Sequence, residues 1–201
     1  MKKTVKRMFA LMMVLALCVA GGTALAGGWE IPGGNNPGGG GGYSGEYAIS
    51  VRLIEDLATR SGPGTQYTGC GSYRMKGQYV KALSRGYDRG GVMWVEIEFS
   101  YGGGVRRAWT GAKRLDISER QLYSLPEGDP AYSLGVGTVT GRISPRFGPG
   151  TIYAPYGDRD FYSGAQVAVL RELNGFYMVE CYHTNGEILR SYVPVNMVRM
   201  R

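Results

Sequence analysis

The sole histidine of this chain, His183, stands two residues after a cysteine in Cys181-Tyr182-His183. Positions i and i+2 of a strand share a face, so the pair has the makings of a thiolate nucleophile beside a base. Cysteine hydrolases, however, usually set the Cys at a helix start and bring the His from a distant part of the chain. The expectation here is a buried Cys beside a hairpin His. One His and the two cysteines beyond residue 26, Cys70 and Cys181, do not make a zinc set. Carboxylates pair at Glu96 with Glu98 and at Asp158 with Asp160, spacings that would serve as an acid and a base if other residues oriented them. Strand alternation instead sends Glu96 and Glu98 to solvent, and Asp158 and Asp160 flank Arg159 in a loop. The sequence holds no phosphate-cradling glycine loop and no serine nucleophile elbow. The chain is expected to be no enzyme and to use no metal and no cofactor.

Binding is the chemistry left, and aromatic side chains supply it: 15 Tyr and 3 Trp, rings with a flat apolar face and, at one edge, a polar tip. A repeat positions several of them. Arg60-Ser61-Gly62-Pro63-Gly64-Thr65-Gln66-Tyr67 returns as Arg146-Phe147-Gly148-Pro149-Gly150-Thr151-Ile152-Tyr153, identical at six of eight positions and 86 residues on. Self-similarity at a fixed spacing marks a structural unit used twice. In each copy Pro pre-sets φ near about −65° and the next Gly accepts a positive φ, which specifies a type II turn. Arg60 and Arg146 are expected to brace these turns by bonding to backbone carbonyls.

The same order of elements follows each turn. In the first unit, residues 78–83, 92–99 and 105–110 read as strands, with Val95, Ile97 and Phe99 on one face. In the second, residues 166–171, 176–181 and 188–193 do so, with Tyr177, Val179 and Cys181 together. Ser100 to Gly104 and Thr184-Asn185-Gly186 supply hairpin turns. At a spacing of 82, Trp94 matches Phe176 and Glu98 matches Glu180; at 83, Arg107 matches Arg190 and Trp109 matches Tyr192. The drift in spacing puts length variation in the loops. No segment sustains a helical period. Short strands and glycine-rich turns predict an all-β chain of two small barrels in tandem.

The N-terminus reads as an export signal over residues 1–26: Lys2, Lys3, Lys6 and Arg7, then an apolar run, then Ala24-Leu25-Ala26. That run is shorter than the ~20 residues a bilayer span needs, and Leu17 before Cys18 does not suit a lipid-anchor signal. The product is expected to be secreted or associated with the cell wall, with no membrane contact after cleavage. Four of the 23 Lys and Arg lie in this segment and all 16 Asp and Glu lie beyond it, so the remainder carries 19 against 16, a net +3. Nucleic acid normally demands a denser basic face. Residues 27–45 hold ten Gly and few apolar groups, a flexible tether. Residues 46–120 and 131–201 are then the two units. A unit of that size buries only about 60% of its unfolded surface, which favours packing one on the other.

The pattern Arg-x-Gly-Pro-Gly-Thr-x-Tyr, a Gly before an apolar strand (Gly77 with Val80, Gly164 with Val167), an aromatic opening the next strand and an aromatic in the last resembles the bacterial SH3-like domain. The resemblance spans residues 47–116 and 134–201. It departs from the family at Pro145, where a branched apolar residue is usual, and in closing strands that read Arg-Ala-Trp-Thr-Gly and Arg-Ser-Tyr-Val-Pro. It implies a small barrel with a shallow groove for extended peptides, cell-wall peptides above all. The ligand residues it implies are Tyr67, Trp94 and Trp109 in the first unit and Tyr153, Phe176 and Tyr192 in the second, although core packing competes for each ring, Trp94 and Phe176 first. The function so implied is peptidoglycan or wall-peptide binding; the alternative is an extracellular subunit whose grooves hold a protein partner. Cys70 falls at an apolar position of the pattern and Cys181 on an apolar strand face, one per unit. A disulfide would need their Cα atoms within about 7 Å, so free thiols are expected.

Overall fold

Apolar residues at every second position give each strand one face to bury. The computed structural model describes residues 47–128, 133–183 and 185–201, which belong to one compact unit. The expected signal segment, residues 1–26, and the glycine-rich tether, residues 27–45, lie outside the described residues. In the N-terminal half, β1 (Ile49–Leu53), β2 (Leu57–Arg60), β3 (Gly69–Tyr73), β4 (Tyr79–Tyr87), β5 (Met93–Tyr101), β6 (Gly104–Gly111) and β7 (Leu115–Asp116) make an antiparallel sheet in the order β3-β2-β6-β5-β4-β1-β7. In the C-terminal half, β8 (Gly135–Val139), β9 (Gln166–Leu173), β10 (Phe176–Tyr182), β11 (Ile188–Pro194) and β12 (Val198–Met200) make a second, ordered β11-β10-β9-β8-β12. The fold is all-β.

Both sheets follow one plan. The run β1, β4, β5, β6, a 3-10 turn (Ala112–Arg114) and β7 corresponds to β8, β9, β10, β11, a 3-10 turn (Val195–Met197) and β12. The β2–β3 hairpin is reduced in the second half to isolated bridges, Ile143 with Phe161 and Arg146 with Pro155. Each half has its own core: Val51, Leu53, Val80, Val95 and Ile97 in the first, Val139, Val167, Val169, Val179 and Leu189 in the second. Cys70 and Cys181 are free thiols, each packed against the core of its own half.

Two local features were not anticipated. Residues Glu119–Ser124 form a short helix, α1, whose start is a capping box: the Ser118 hydroxyl accepts from Gln121 N and the Gln121 side chain accepts from Ser118 N. Ser-x-x-Gln is a helix-start signal, but six residues are too few for a helical period to register. Beyond α1, Leu125 is buried in the first core. The second feature is the β9–β10 connection. Asn174 (φ 52°) and Gly175 (φ 75°) both take positive φ, the two-residue turn that Asn-Gly favours. Its counterpart between β4 and β5 spans residues 88–92. That difference in loop length shapes the candidate site.

Candidate functional site

The repeated turns are clamped by arginine. Arg60 Nη1 donates to the carbonyls of Thr65 (3.2 Å) and Tyr67 (2.8 Å), and Arg146 Nη1 to those of Thr151 (3.3 Å) and Tyr153 (2.6 Å). The turn hydrogen bonds run from Tyr67 N to Gly64 O and from Tyr153 N to Gly150 O, both 3.3 Å, two residues beyond the bond of a type II turn centred on Pro63-Gly64. Gly64 takes a φ of +124°, whereas Gly150 does not take a positive φ. The bend is common to both copies because the arginine clamp is common to both, whichever way the glycine turns. Gly62 and Gly148 are required for a different reason: a Cβ on either would run into the ring of Tyr67 or Tyr153.

Those two tyrosines cross over. Tyr67 enters the C-terminal half, where its hydroxyl donates to Glu180 Oε1 (2.9 Å) and accepts from Arg190 Nη2 (2.9 Å); Arg190 Nε and Nη2 also reach Glu180 Oε1, at 2.9 and 2.7 Å. Tyr153 enters the N-terminal half in return, its hydroxyl donating to Glu98 Oε2 (2.6 Å) and accepting from Arg107 Nε (3.0 Å), which donates to Glu98 Oε2 as well (3.1 Å). Each guanidinium also sits over its tyrosine ring, 4.9 Å for Arg190 on Tyr67 and 5.1 Å for Arg107 on Tyr153. Parallel bridges of Tyr67 with Ile188 and of Tyr153 with Val105 stitch the backbones beside each latch. The contact is reciprocal, as in an interface between like subunits.

This geometry revises the expectation for the carboxylates. Glu96 and Glu98 do not face solvent: they are 3% and 9% exposed, because the polar face of β5 is covered by the other half. Glu96 Oε2 accepts from Ser84 Oγ at 2.8 Å. Burial by itself would raise the pKa of Glu98, but the Tyr153 hydrogen bond, then Arg107 and Lys81, outweigh it and hold the carboxyl below its ordinary value. Burial, with the hydrogen bond to Glu98, pushes the Tyr153 hydroxyl up despite Arg107, which keeps it a donor.

The implied ligand residues therefore separate into two groups. Tyr67, Trp109, Tyr153 and Tyr192 are at most 7% exposed; Tyr67 and Tyr153 are spent on joining the halves, Tyr192 packs on Leu170 and Met178, and Tyr67 also lines a pocket of about 320 Å³ between the halves. Burial pushes the Tyr192 hydroxyl up to about 12. Phe176 is half-buried against Leu170, Met178 and Tyr192. Trp94 lines a groove of about 590 Å³ in the N-terminal half. Its wall is the β4–β5 loop, which Asp88 holds: Oδ1 accepts from Gly90 N (2.8 Å) and Val92 N (2.9 Å), and Oδ2 from Trp94 Nε1 (3.2 Å). The Val92 hydrogen bond comes first among the causes that lower the Asp88 pKa. Val92, Met93 and Ala112 make the groove apolar, and Arg60, Lys113 and Arg114 edge it with positive charge. The sequence reading missed the loop, although the run Asp88-Arg89-Gly90-Gly91 marks it. In the other half the Asn174-Gly175 turn leaves no residues to raise such a wall.

Cys181 Sγ lies 3.9 Å from the Tyr182 carbonyl oxygen, and no hydrogen bond joins it to His183 among the described residues. Burial raises the pKa of both thiols, that of Cys70 to about 11, so neither is a thiolate near neutral pH. Asp160 pairs with Arg142 Nε at 2.7 Å on the surface.

No family model matches the chain, and no curated protein matches it. Among solved structures, NlpC1 from Trichomonas vaginalis is similar at 15% identity, with a TM-score of 0.29, over 80% of this chain. The chain spans about half of that protein, 48% of its length. A similarity this slight says nothing of what this chain binds.

Proposed function

We propose that this chain is an exported, non-catalytic binding protein whose N-terminal half takes an extended cell-wall peptide along the Trp94 groove. The observation that supports this is the groove itself: a half-buried indole fixed by Asp88, an apolar floor and a cationic edge, in a volume of about 590 Å³ that lies within the range of natural ligand sites. An indole held by its N–H presents its face without further ordering, which suits stacking on a peptide, and Lys113 suits a carboxylate on that peptide. The C-terminal half, with its shortened loop, serves as the support that the N-terminal half is latched to.

The test is a saturation pull-down on purified cell-wall sacculi. Wild-type chain should be retained saturably, and Trp94→Ala should weaken retention at least about tenfold, as for a central aromatic hot spot, with the melting temperature little changed. Trp109→Ala is no test of binding, since that ring is 1% exposed and its loss strikes the fold. Wild-type chain that passes through unretained would reject the wall ligand and leave an extracellular protein partner as the occupant of the groove.

A further inference from the structure

A small cavity, of about 10 Å³, lies where the two sheets meet. Three pairs of repeat-matched residues line it: Arg107 with Arg190, Trp109 with Tyr192, and Glu96 with Met178. Within each sheet two of these residues are cross-strand partners, Glu96 opposite Trp109 and Met178 opposite Tyr192. The copies have diverged here in a complementary way. Where the N-terminal half sets a carboxylate against an indole, the C-terminal half sets a thioether against a phenol. One half thus brings an acceptor and the other an O–H donor.

The Tyr192 hydroxyl donates its proton to no described residue, although Tyr192 is only 4% exposed. Arg171 approaches this hydroxyl, but a guanidinium only donates, and the same holds for Arg107 and Arg190 in the cavity wall. None of them can accept the phenol proton. Glu96 lies near enough for its charge to act on the hydroxyl, yet no hydrogen bond joins the two. Ser84 Oγ takes one position on Glu96 Oε2, at 2.8 Å, and a carboxylate has lone pairs for further donors. A buried donor and a buried acceptor that feel each other without touching need an intermediary. We propose that one water molecule occupies this cavity, accepting from Tyr192 Oη and donating to the Glu96 carboxylate, and so forms a third link between the halves. The room of about 10 Å³ is at the lower bound for a single water and far below that of an organic ligand. Glu98 and Glu180 neutralise the two guanidinium groups in the wall, which favours a neutral occupant over an anion.

A high-resolution crystal structure of the chain is the direct test. The expected result is one solvent peak within about 2.5–3.0 Å of both Tyr192 Oη and a Glu96 carboxylate oxygen. Tyr192→Phe should remove that peak and raise the unfolded-to-folded ratio in urea titrations about tenfold. Glu96→Met, which copies the residue at the matching position of the other half, should remove it as well. The water needs both partners, so in the Glu96→Met background Tyr192→Phe should change the ratio by about threefold or less. If the variants do not fold, the wild-type crystal structure decides alone. The proposal is overturned if the cavity is dry, if Tyr192 Oη donates directly to a protein oxygen, if anomalous scattering identifies the peak as chloride, or if the effects of the two substitutions simply add.

Discussion

Arg107→Ala should lower the stability of the chain by about 3–5 kcal/mol, the cost of stripping one partner from a buried ion pair. Glu98 would be left 9% exposed with the Tyr153 hydroxyl at 2.6 Å and Lys81 Nζ at 3.4 Å as its remaining partners. The Tyr153 ring would also lose the guanidinium stacked on it. Arg190→Ala removes the equivalent cation from Glu180, which has no lysine across the sheet, so its cost should be the larger of the two. The measurement is a urea denaturation series. A loss under about 1 kcal/mol, the size of a surface pair, would mean that water reaches Glu98 and that the halves part readily.

Gly148→Ala should cost about 3 kcal/mol, the upper part of the range for overpacking, because the new methyl runs into the Tyr153 ring where that ring crosses to the other half. Gly62→Ala should behave alike through Tyr67. Coupling distinguishes this from a backbone effect. In a Tyr153→Ala background the obstacle is gone, and Gly148→Ala should then cost no more than a few tenths of a kcal/mol, a non-additivity expected only of groups in contact. Equal costs in the two backgrounds would show that the glycine is needed for its backbone conformation instead.

Much of the fold was legible because it is written locally. Alternation placed Val95, Ile97 and Val179 inside, the repeated turn gave the two-part plan, and the competing demands on the six aromatic rings were visible from the start. What covers the outer face of β5 was not legible. A period-two pattern with Glu at alternate positions describes a half-buried strand equally well whether water or a second sheet lies over it, and Tyr153 reaches Glu98 from 55 residues away. A signal was nonetheless present: Glu98, Arg107 and Tyr67 each recur, as Glu180, Arg190 and Tyr153. Charges that return with the turn at matched positions of facing strands point to a shared contact rather than to two solvated faces. The groove was half legible. Trp94 was among the candidate rings, but the wall that makes it a site depends on a loop length that drifted between the copies, and only three-dimensional pairing shows which copy kept the wall.

The latches also bear on function. A buried Tyr–Glu–Arg set adds little net stability over an apolar core, but it is costly to break and tolerant of only one alignment. Holding the C-terminal half in one alignment keeps the turn at Pro63 and the loop at Asp88 fixed beside each other, and these border the inter-half pocket, while Asp88 also lines the Trp94 groove. A rigid rim lowers the entropy cost of closing on a flexible peptide.

Two like halves, each lending a tyrosine to the other, should unfold as one body. Differential scanning calorimetry of the purified chain tests it most directly. A single transition whose calorimetric enthalpy equals its van't Hoff enthalpy is the predicted result; two resolved transitions, or a calorimetric enthalpy about twice the van't Hoff value, would contradict it.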